Sequence, residues 1–380
     1  MERAYQYRIY PNKKQRVLLE KHFGATRWLF NYGLQRKIET YQKTGRNISC
    51  FELSKELPNL KSQKETEWLK EINAQSLQMS LRALDNAFVR FFRKKKGFPN
   101  FKSKKNKYKQ SFSIPQGNRI NFKKRKASFI KIGEIKIRID RQFKDKIIKA
   151  TISKNKINQF FVSYIVDENI KPPKPKPIKE KTTIGIDLGL NYFAVLSNGK
   201  RIKNPKYLKK SEQRLRVLQR RLSRKKKGSN KREKVKFKVA KLFNKISNQR
   251  SSFLHKFTEQ LTRDNQVDTY AIENLNVNGM LKNHCLAKSI ADTSWSEFIR
   301  QISYKSKWYG KNLLMIGRFE PSSKMCGCGY INNDLKLSER KWTCPECKIK
   351  NNRDLLAAQN IKKFALLGLL RPIELAEVSQ

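Results

Sequence analysis

Residues 182–199 read TTIGIDLGLNYFAVLSNG, and this stretch decides the fold. Thr182–Asp187 is short, apolar and β-rich, and Gly189 closes it, so it reads as a strand. Tyr192–Leu196 reads as its hairpin partner, and Ser197-Asn198-Gly199 turns toward a third strand. Asp187 therefore stands at the end of a buried strand. Two more acids occupy comparable positions. Glu273 ends the strand-like run DTYAIE (268–273), and Asp354 lies in NNRDLLAA (351–358), at the start of a helical pattern. Taken singly, each has an ordinary explanation: a turn aspartate, a surface glutamate, a first-turn residue favoured by the helix dipole. Taken together in a very basic chain, they call for something doubly positive between them. Carboxylate oxygens are hard ligands of the kind Mg²⁺ prefers. Two such ions about 3.5–4 Å apart clamp the attacking and leaving oxygens of a phosphodiester.

Composition names the polyanion. The chain has 380 residues, 86 Lys plus Arg against 31 Asp plus Glu, and a formal net charge of +55. Self-repulsion at that charge opposes compaction, and a bound nucleic acid relieves it while releasing counterions. An anionic membrane is the alternative partner. No apolar run approaches the ~18–20 residues of a spanning helix, and the amino terminus has no signal-peptide pattern. A hydrophobic content of 38%, with 22 Phe, permits real cores. Four of the six cysteines lie between 326 and 347, which fits a reducing cytoplasm and a local metal site better than a disulfide framework.

Along the chain the reading is α+β and multidomain. Arg3–Tyr10 alternates as a strand and Pro11 ends it. Asn12 with Gln15 forms a capping box for a helix to about Phe23, and a second helix runs from Thr26 to Thr44. Leu77, Leu81, Leu84, Phe88 and Phe91 share one helical face. From about Ser111 to Val166 the period becomes two, with a hairpin around Asn155. The first strand is expected to join these in a small barrel, with the helices inserted. Lys171–Pro177 is an extended, semi-rigid linker. Beyond it come the hairpin, basic helices near Lys209–Leu222 and Lys231–Arg263, the Glu273 strand, a helix near Trp295–Tyr309 and a strand at Leu313–Phe319. An Asp strand, a hairpin, a Glu strand and an Asp helix, in that order, are how an RNase H-like sheet assembles a two-metal site.

The chain resembles the TnpB family, transposon-encoded RNA-guided nucleases related to type V CRISPR effectors. The segments that carry the resemblance are AYQYRIYPNKKQ (4–15), LRALDNAFVRFF (81–92), KGFPNFKSKK (96–105), GIDLGLNYFAVLSNG (185–199) and SFLHKFTEQL (252–261). They continue with AIENLNVNGM (271–280), LAKSIADTSWSEF (286–298), WYG (308–310), PSSKMCGCGY (321–330), WTCPEC (342–347) and NRDLLAAQNI (352–361). The resemblance implies a wedge-like β-barrel over 1–11 and 106–170, a helical recognition insertion over 12–105 and a Pro/Lys linker at 171–181. It also implies a RuvC-like nuclease domain over 182–321 and 351–380, interrupted by a zinc ribbon at 322–350. It makes Asp187, Glu273 and Asp354 the catalytic ligands of two Mg²⁺ ions. It implies one protein chain per guide RNA, double-stranded DNA as target, no membrane, and a cytoplasmic, nucleoid-associated location in a bacterium. The family usually has Asn where this chain has Leu356, which removes a polar group that would order the site. Two rival functions are a guide-dependent DNA-binding repressor without cleavage, and an unguided RNase H-like transposase or resolvase. Cutting separates the first, and RNase sensitivity separates the second.

Cys326, Cys328, Cys344 and Cys347 offer four thiolates to a structural Zn²⁺. The family's first knuckle is C-x-x-C-G, and this chain's Cys-Gly-Cys-Gly is one residue short. Gly327 and Gly329 free the backbone so that the pair still reaches one ion, in a strained site; a ribbon that folds by packing alone or holds metal loosely is the alternative. The basic runs hold Arg93, Lys94, Lys95, Lys96, Lys104, Lys105, Lys123, Lys124 and Arg125, interleaved with Phe98, Phe101, Tyr108 and Phe122. Arg220, Arg221 and Arg224 belong to a second group. Such mixtures suit phosphates plus unpaired bases; a solvated basic face is the plain alternative.

Overall fold

A computed structural model describes residues 1–93, 97–104, 110–336 and 338–367. The chain divides into two units, at Lys171/Pro172. In the first, β1 (Glu2–Tyr10) leads to α1 (Lys13–Thr44), α2 (Cys50–Lys55), α3 (Leu57–Ser62) and α4 (Ala74–Phe92). Six strands follow: β2 (Gln110–Ile114), β3 (Asn118–Asn121), β4 (Lys126–Phe129), β5 (Gly133–Arg138), β6 (Lys146–Lys154) and β7 (Phe160–Asp167). All seven form one antiparallel sheet in the order β2-β6-β7-β1-β5-β4-β3. β1 lies between β7, with Ile9 opposite Phe160, and β5, with Ile9 opposite Ile137. The helices are thus an excursion between two strands of one sheet. Tyr7 and Ile9 turn inward with Ile135, Ile137, Val162 and Tyr164, the alternation of a sheet with one buried face.

The Asn12–Gln15 capping box is present. The break near Gly24 is not: α1 is one helix of 32 residues. A mid-helix glycine costs only about 1 kcal/mol. Here Leu19, His22 and Phe23 are buried before it and Ala25, Thr26, Leu29 and Phe30 after it, so tertiary packing carries the helix through. His22 contributes in a way its sequence context did not reveal. Its Nδ1 donates to the Leu18 carbonyl at 2.8 Å, and its Nε2 accepts from the Asn73 amide, tying α1 to the N-cap of α4. On α4, Leu77, Leu81 and Leu84 are buried, while Phe88 and Phe91 are partly covered.

The second unit opens with β8 (Thr183–Leu188), β9 (Tyr192–Leu196) and β10 (Arg201–Lys203). Next are α5 (Tyr207–Lys210), α6 (Glu212–Ser223), α7 (Asn230–Arg263), β11 (Thr269–Glu273), α8 (Val277–Met280), α9 (Ala287–Thr293), α10 (Trp295–Trp308) and β12 (Asn312–Ile316). A two-stranded ribbon, β13 (Lys341–Thr343) and β14 (Lys350–Asn352), precedes α11 (Arg353–Leu366). The five-stranded sheet runs β10-β9-β8-β11-β12. Its hairpin strands are antiparallel, and β8, β11 and β12 are parallel. Parallel strands need covering on both faces. One face meets α7 and α10 through Phe193, Phe257, Trp295, Phe298 and Ile302. On the other, Ala271, Leu314 and Ile316 meet Ile361, Phe364 and Ala365 of α11. Residues 368–380, assigned to the nuclease-like domain from sequence, lie outside the described residues.

α11 approaches the sheet where β8 has no side chain. A Cβ placed on Gly185 would lie 2.0 Å from the Ala358 carbonyl oxygen and 2.8 Å from the Lys362 nitrogen. Gly185→Ala must push helix and strand apart and is expected to destabilise this unit by about 1–3 kcal/mol, as overpacking does. Gly24→Ala meets nothing within 4 Å and is expected to stabilise the first unit by up to about 1 kcal/mol. Thermal unfolding of the two variants should therefore shift in opposite directions.

Candidate functional site

Side chains alternate along a strand, so Asp187 points to the same sheet face as Gly185, the face that α11 covers. Ile186 is paired with Ile272 on β11, so Asp187 and Glu273 follow as neighbours at the ends of adjacent parallel strands. Glu273 shares its face with Ala271, which packs on α11. Asp354 is in the first turn of α11, behind Asn352, whose side chain caps the helix by accepting from the Leu355 amide at 3.2 Å. The helix N-terminus favours a carboxylate there. Three acids remote in sequence thus face one another across the sheet and its covering helix.

Their electrostatics record the proximity. Burial, then the charges of Glu273 and Asp354, push Asp187 up to about 8, against the opposing pull of Arg353 and Arg340. Burial also raises Glu273, partly offset by the hydroxyl of Ser322, which donates to its Oε1. Asp354 accepts from Arg340 at 3.0 Å. Neither Ser322 nor Arg340 was legible as a site residue, because each arrives from a segment read only for its cysteines. Their support is specific: Asn360 donates to the carbonyls of Ser322 and Met325 at 2.8 and 2.6 Å. Arg353 donates to the Lys336 carbonyl at 2.8 Å and to the Ser323 hydroxyl at 3.3 Å.

The oxygens of the three carboxylates do not all lie within 4.8 Å of one another, a spread that two ions about 3.5–4 Å apart accommodate. Among the described residues, the group of His, Cys, Asp or Glu whose ligand atoms all lie within 4.8 Å of one another is the cysteine set, not the acids. Asp354 is paired with Arg340, whose guanidinium offsets part of the charge gathered there. The donor set still fits hard divalent cations. It has three carboxylates on one face, and burial together with its neighbours' charge keeps Asp187 protonated near neutral pH.

The four cysteines converge. Cys326 and Cys347 sulfurs are 3.6 Å apart, as are those of Cys328 and Cys344. Tetrahedral zinc with bonds of about 2.3 Å separates its sulfurs by roughly 3.8 Å, so the set fits that ion. The shortened first knuckle closes because Cys326 donates to the Tyr330 carbonyl at 2.8 Å and Gly329 donates back to Cys326 at 3.0 Å, with Gly329 at φ +104°. That φ is open to glycine and strained for other residues. Burial raises the Cys326 thiol, but hydrogen bonds from the Cys328 backbone, from Asn351 and from neighbouring thiols outweigh it and bring the group to about 6. Leu356 is not at the carboxylates: it is buried against Cys326, Leu335, Trp342 and Cys344, where a leucine packs a ribbon core. Arg93, Lys104, Lys123, Lys124, Arg125, Arg220, Arg221 and Arg224 are all exposed. Lys94, Lys95, Lys96 and Lys105 lie outside the described residues.

With this geometry in hand, the comparisons with known proteins agree with one another. The family model described as "Probable transposase" of the IS605 OrfB type matches residues 161–284. A Cas12f1-like TNB domain matches 295–361, and a helix-turn-helix domain of the same OrfB type matches 1–46. In this chain the last of these is one strand followed by one continuous helix. A relative from Streptomyces pristinaespiralis, named "Putative RNA-guided DNA endonuclease", is 35% identical over 95% of this chain and 89% of its own length. InsQ of Escherichia coli, with the same description, is 29% identical over 94% and 91%. A Cas12f1 chain from a complex with sgRNA and target DNA superposes with a TM-score of 0.59 at 16% identity, covering 98% of this chain and 99% of that one. The fold is thus of the mixed α/β, multidomain Cas12f type. The chain belongs to the TnpB family.

The titration of Asp187 has a sign. Its folded value is above the ordinary carboxylate value, so the metal-free fold holds a proton that the unfolded chain has released. Stability from this group is complete below pH ~4 and is lost as pH rises through about 8. Denaturant midpoints should fall across that window without Mg²⁺. The slope should flatten in Asp187→Asn and when millimolar Mg²⁺ is present. For the thiols, metal analysis should find about one zinc per chain. Stripping it with a chelator, or Cys344→Ser, should lower the melting temperature by many degrees, since a structural zinc contributes on the order of 10 kcal/mol.

Proposed function

We propose that this chain is an RNA-guided DNA endonuclease with a RuvC-type site at Asp187, Glu273 and Asp354. The observation that carries the reading is that Asp187 and Glu273 end adjacent parallel strands on the face covered by the helix bearing Asp354, close enough to raise the Asp187 carboxyl. The strand order β10-β9-β8-β11-β12, with the first three strands antiparallel and the last two parallel to β8, supports an RNase H-like core. A guide RNA and double-stranded DNA are the partners, in keeping with the relatives' names. The net charge of +55 supplies the sequence-independent part of binding.

The three acids would hold two Mg²⁺ ions, which activate the attacking water and stabilise the leaving oxygen. The chain's own residues set up that chemistry. Ser322 orients Glu273, and Arg340 fixes Asp354 and brings a positive charge to where a phosphate would lie. No side chain acts as nucleophile. We assign 1–11 and 106–170 to a wedge-like barrel, 12–105 to a recognition insertion, 182–321 with 351–380 to the nuclease domain and 322–350 to a zinc ribbon. Among the described residues no helix is long and apolar enough to cross a membrane; a cytoplasmic, nucleoid-associated protein, one chain per guide, completes the proposal.

The test is plasmid cleavage by protein carrying its co-purified RNA, against a target matching that RNA. Asp187→Asn should lower the rate at least about a thousand-fold, a loss of roughly 4 kcal/mol of barrier lowering, with RNA and target retention unchanged. Cutting that persists in the variant removes the assignment of the site. Cutting that survives RNase treatment indicates an unguided enzyme, and guide-dependent binding without cutting indicates a repressor.

A further inference from the structure

The loop after β12 is anchored beside Glu273 at both ends. At its start, Ile316 lies opposite Glu273 in the parallel register. At its end, the Ser322 hydroxyl donates to the Glu273 carboxylate, and buried Asn360 holds the Ser322 carbonyl at 2.8 Å. The segment between turns tightly. The Ser322 amide donates to the Glu320 carbonyl at 2.8 Å, and the Glu320 carboxylate folds back to within 3.1 Å of a Cβ position on Gly317. Phe319, near the middle of the turn, is left 92% exposed, the highest value among the described large hydrophobic side chains. Arg318 beside it is exposed, and no carboxylate pairs with it among the described residues.

A phenyl ring in water gains nothing for folding. This one stands at the carboxyl end of parallel strands, the edge where open α/β sheets bind ligands. It is three positions along from Ile316, so it lies within about 10 Å of that strand end. A paired, stacked base presents only its edges, whereas an unpaired base presents a flat face that an aromatic ring covers.

We propose that Phe319 is a stacking platform for an unpaired base of the DNA strand whose phosphate lies at the carboxylates, with Arg318 on an adjoining phosphate. This rests on the endonuclease reading above. The ring fixes the register of the strand relative to Glu273 and is indifferent to base identity, because every base has a π face. Phe319 is a substrate-positioning contact rather than part of the metal site.

The experiment uses the RNA-bound protein in an Asp187→Asn background, which holds substrate without cutting it. Target DNA carries a fluorescent purine analogue scanned through the unpaired stretch near the cut. Quenching should appear at one or two adjacent positions, vanish in Phe319→Ala and persist in Phe319→Trp. In the cutting-competent protein, an abasic site at the quenched position should slow cleavage about ten-fold. The same abasic site should cost the Phe319→Ala protein nothing further. Quenching unchanged in Phe319→Ala, or an abasic cost that persists there, overturns the proposal, and so does a lowered melting temperature in Phe319→Ala, which would make the ring structural. If the unmutated chain cuts no DNA, the endonuclease reading fails, while the quenching data still decide whether Phe319 stacks on a base.

Discussion

The nuclease-like unit depends on a contact between two backbones. Where β8 passes under α11 there is no side chain, because residue 185 is glycine, and the helix carbonyl at Ala358 occupies the space a methyl group would need. The helix therefore lies against the strand rather than a side chain's thickness above it. Asp187, two residues along β8, and Asp354, one turn before Ala358 on α11, inherit that closeness. The geometry of the proposed site is set by where an atom is missing. No energetic optimisation of the acids themselves would bring them together if the layers were held apart.

Closeness has an electrostatic cost, and the surroundings manage it. The protein is strongly basic, yet locally three acids are gathered in partial burial, and one of them keeps its proton near neutral pH. Around them, cation and hydroxyl donors come from the ribbon and its flanks: Arg340 to Asp354, Ser322 to Glu273, and Arg353 to the ribbon's own carbonyls. The cysteine cluster is thus more than a separate stabilising bead. Ser322, just before the cysteines, and Arg340, between the two pairs, both reach the acids. Leu356, two positions after Asp354, faces the ribbon and joins its core.

Much of this was readable from residues. Periodicity gave the strands around Asp187 and Glu273, the capping box at Asn12, the hairpin at Asn155 and the buried face of α4, because each is a local pattern with a local cause. What failed was decided by distant partners. Gly24 looked like a break, but packing on both sides of it overrode a weak propensity. Leu356 looked like a defect at the carboxylates, since sequence adjacency to Asp354 says nothing about which way a helical side chain faces. The short Cys-Gly-Cys knuckle is a different case: its glycines were legible as the means of closing it, and Gly329 does stand at positive φ. Arg340, Ser322 and Phe319 carried no signal at all. Their meaning comes from pairing and exposure, which a single sequence does not display.

The order of elements has a consequence for synthesis. β1 emerges from the ribosome first, yet its partners β5 and β7 are made only after four helices and several further strands. Its hydrogen-bonding edges wait unpaired while α1 to α4 fold locally around a core of their own, an interval in which a helical detour is safer than a neighbouring apolar strand. The second unit repeats this on its own scale, since its sheet is finished with β12 while Asp354 is still unmade. A nascent or truncated chain ending before α11 carries only two of the three acids, so on the proposed reading a half-finished product would have the grip of a nucleic-acid-binding protein without its bite.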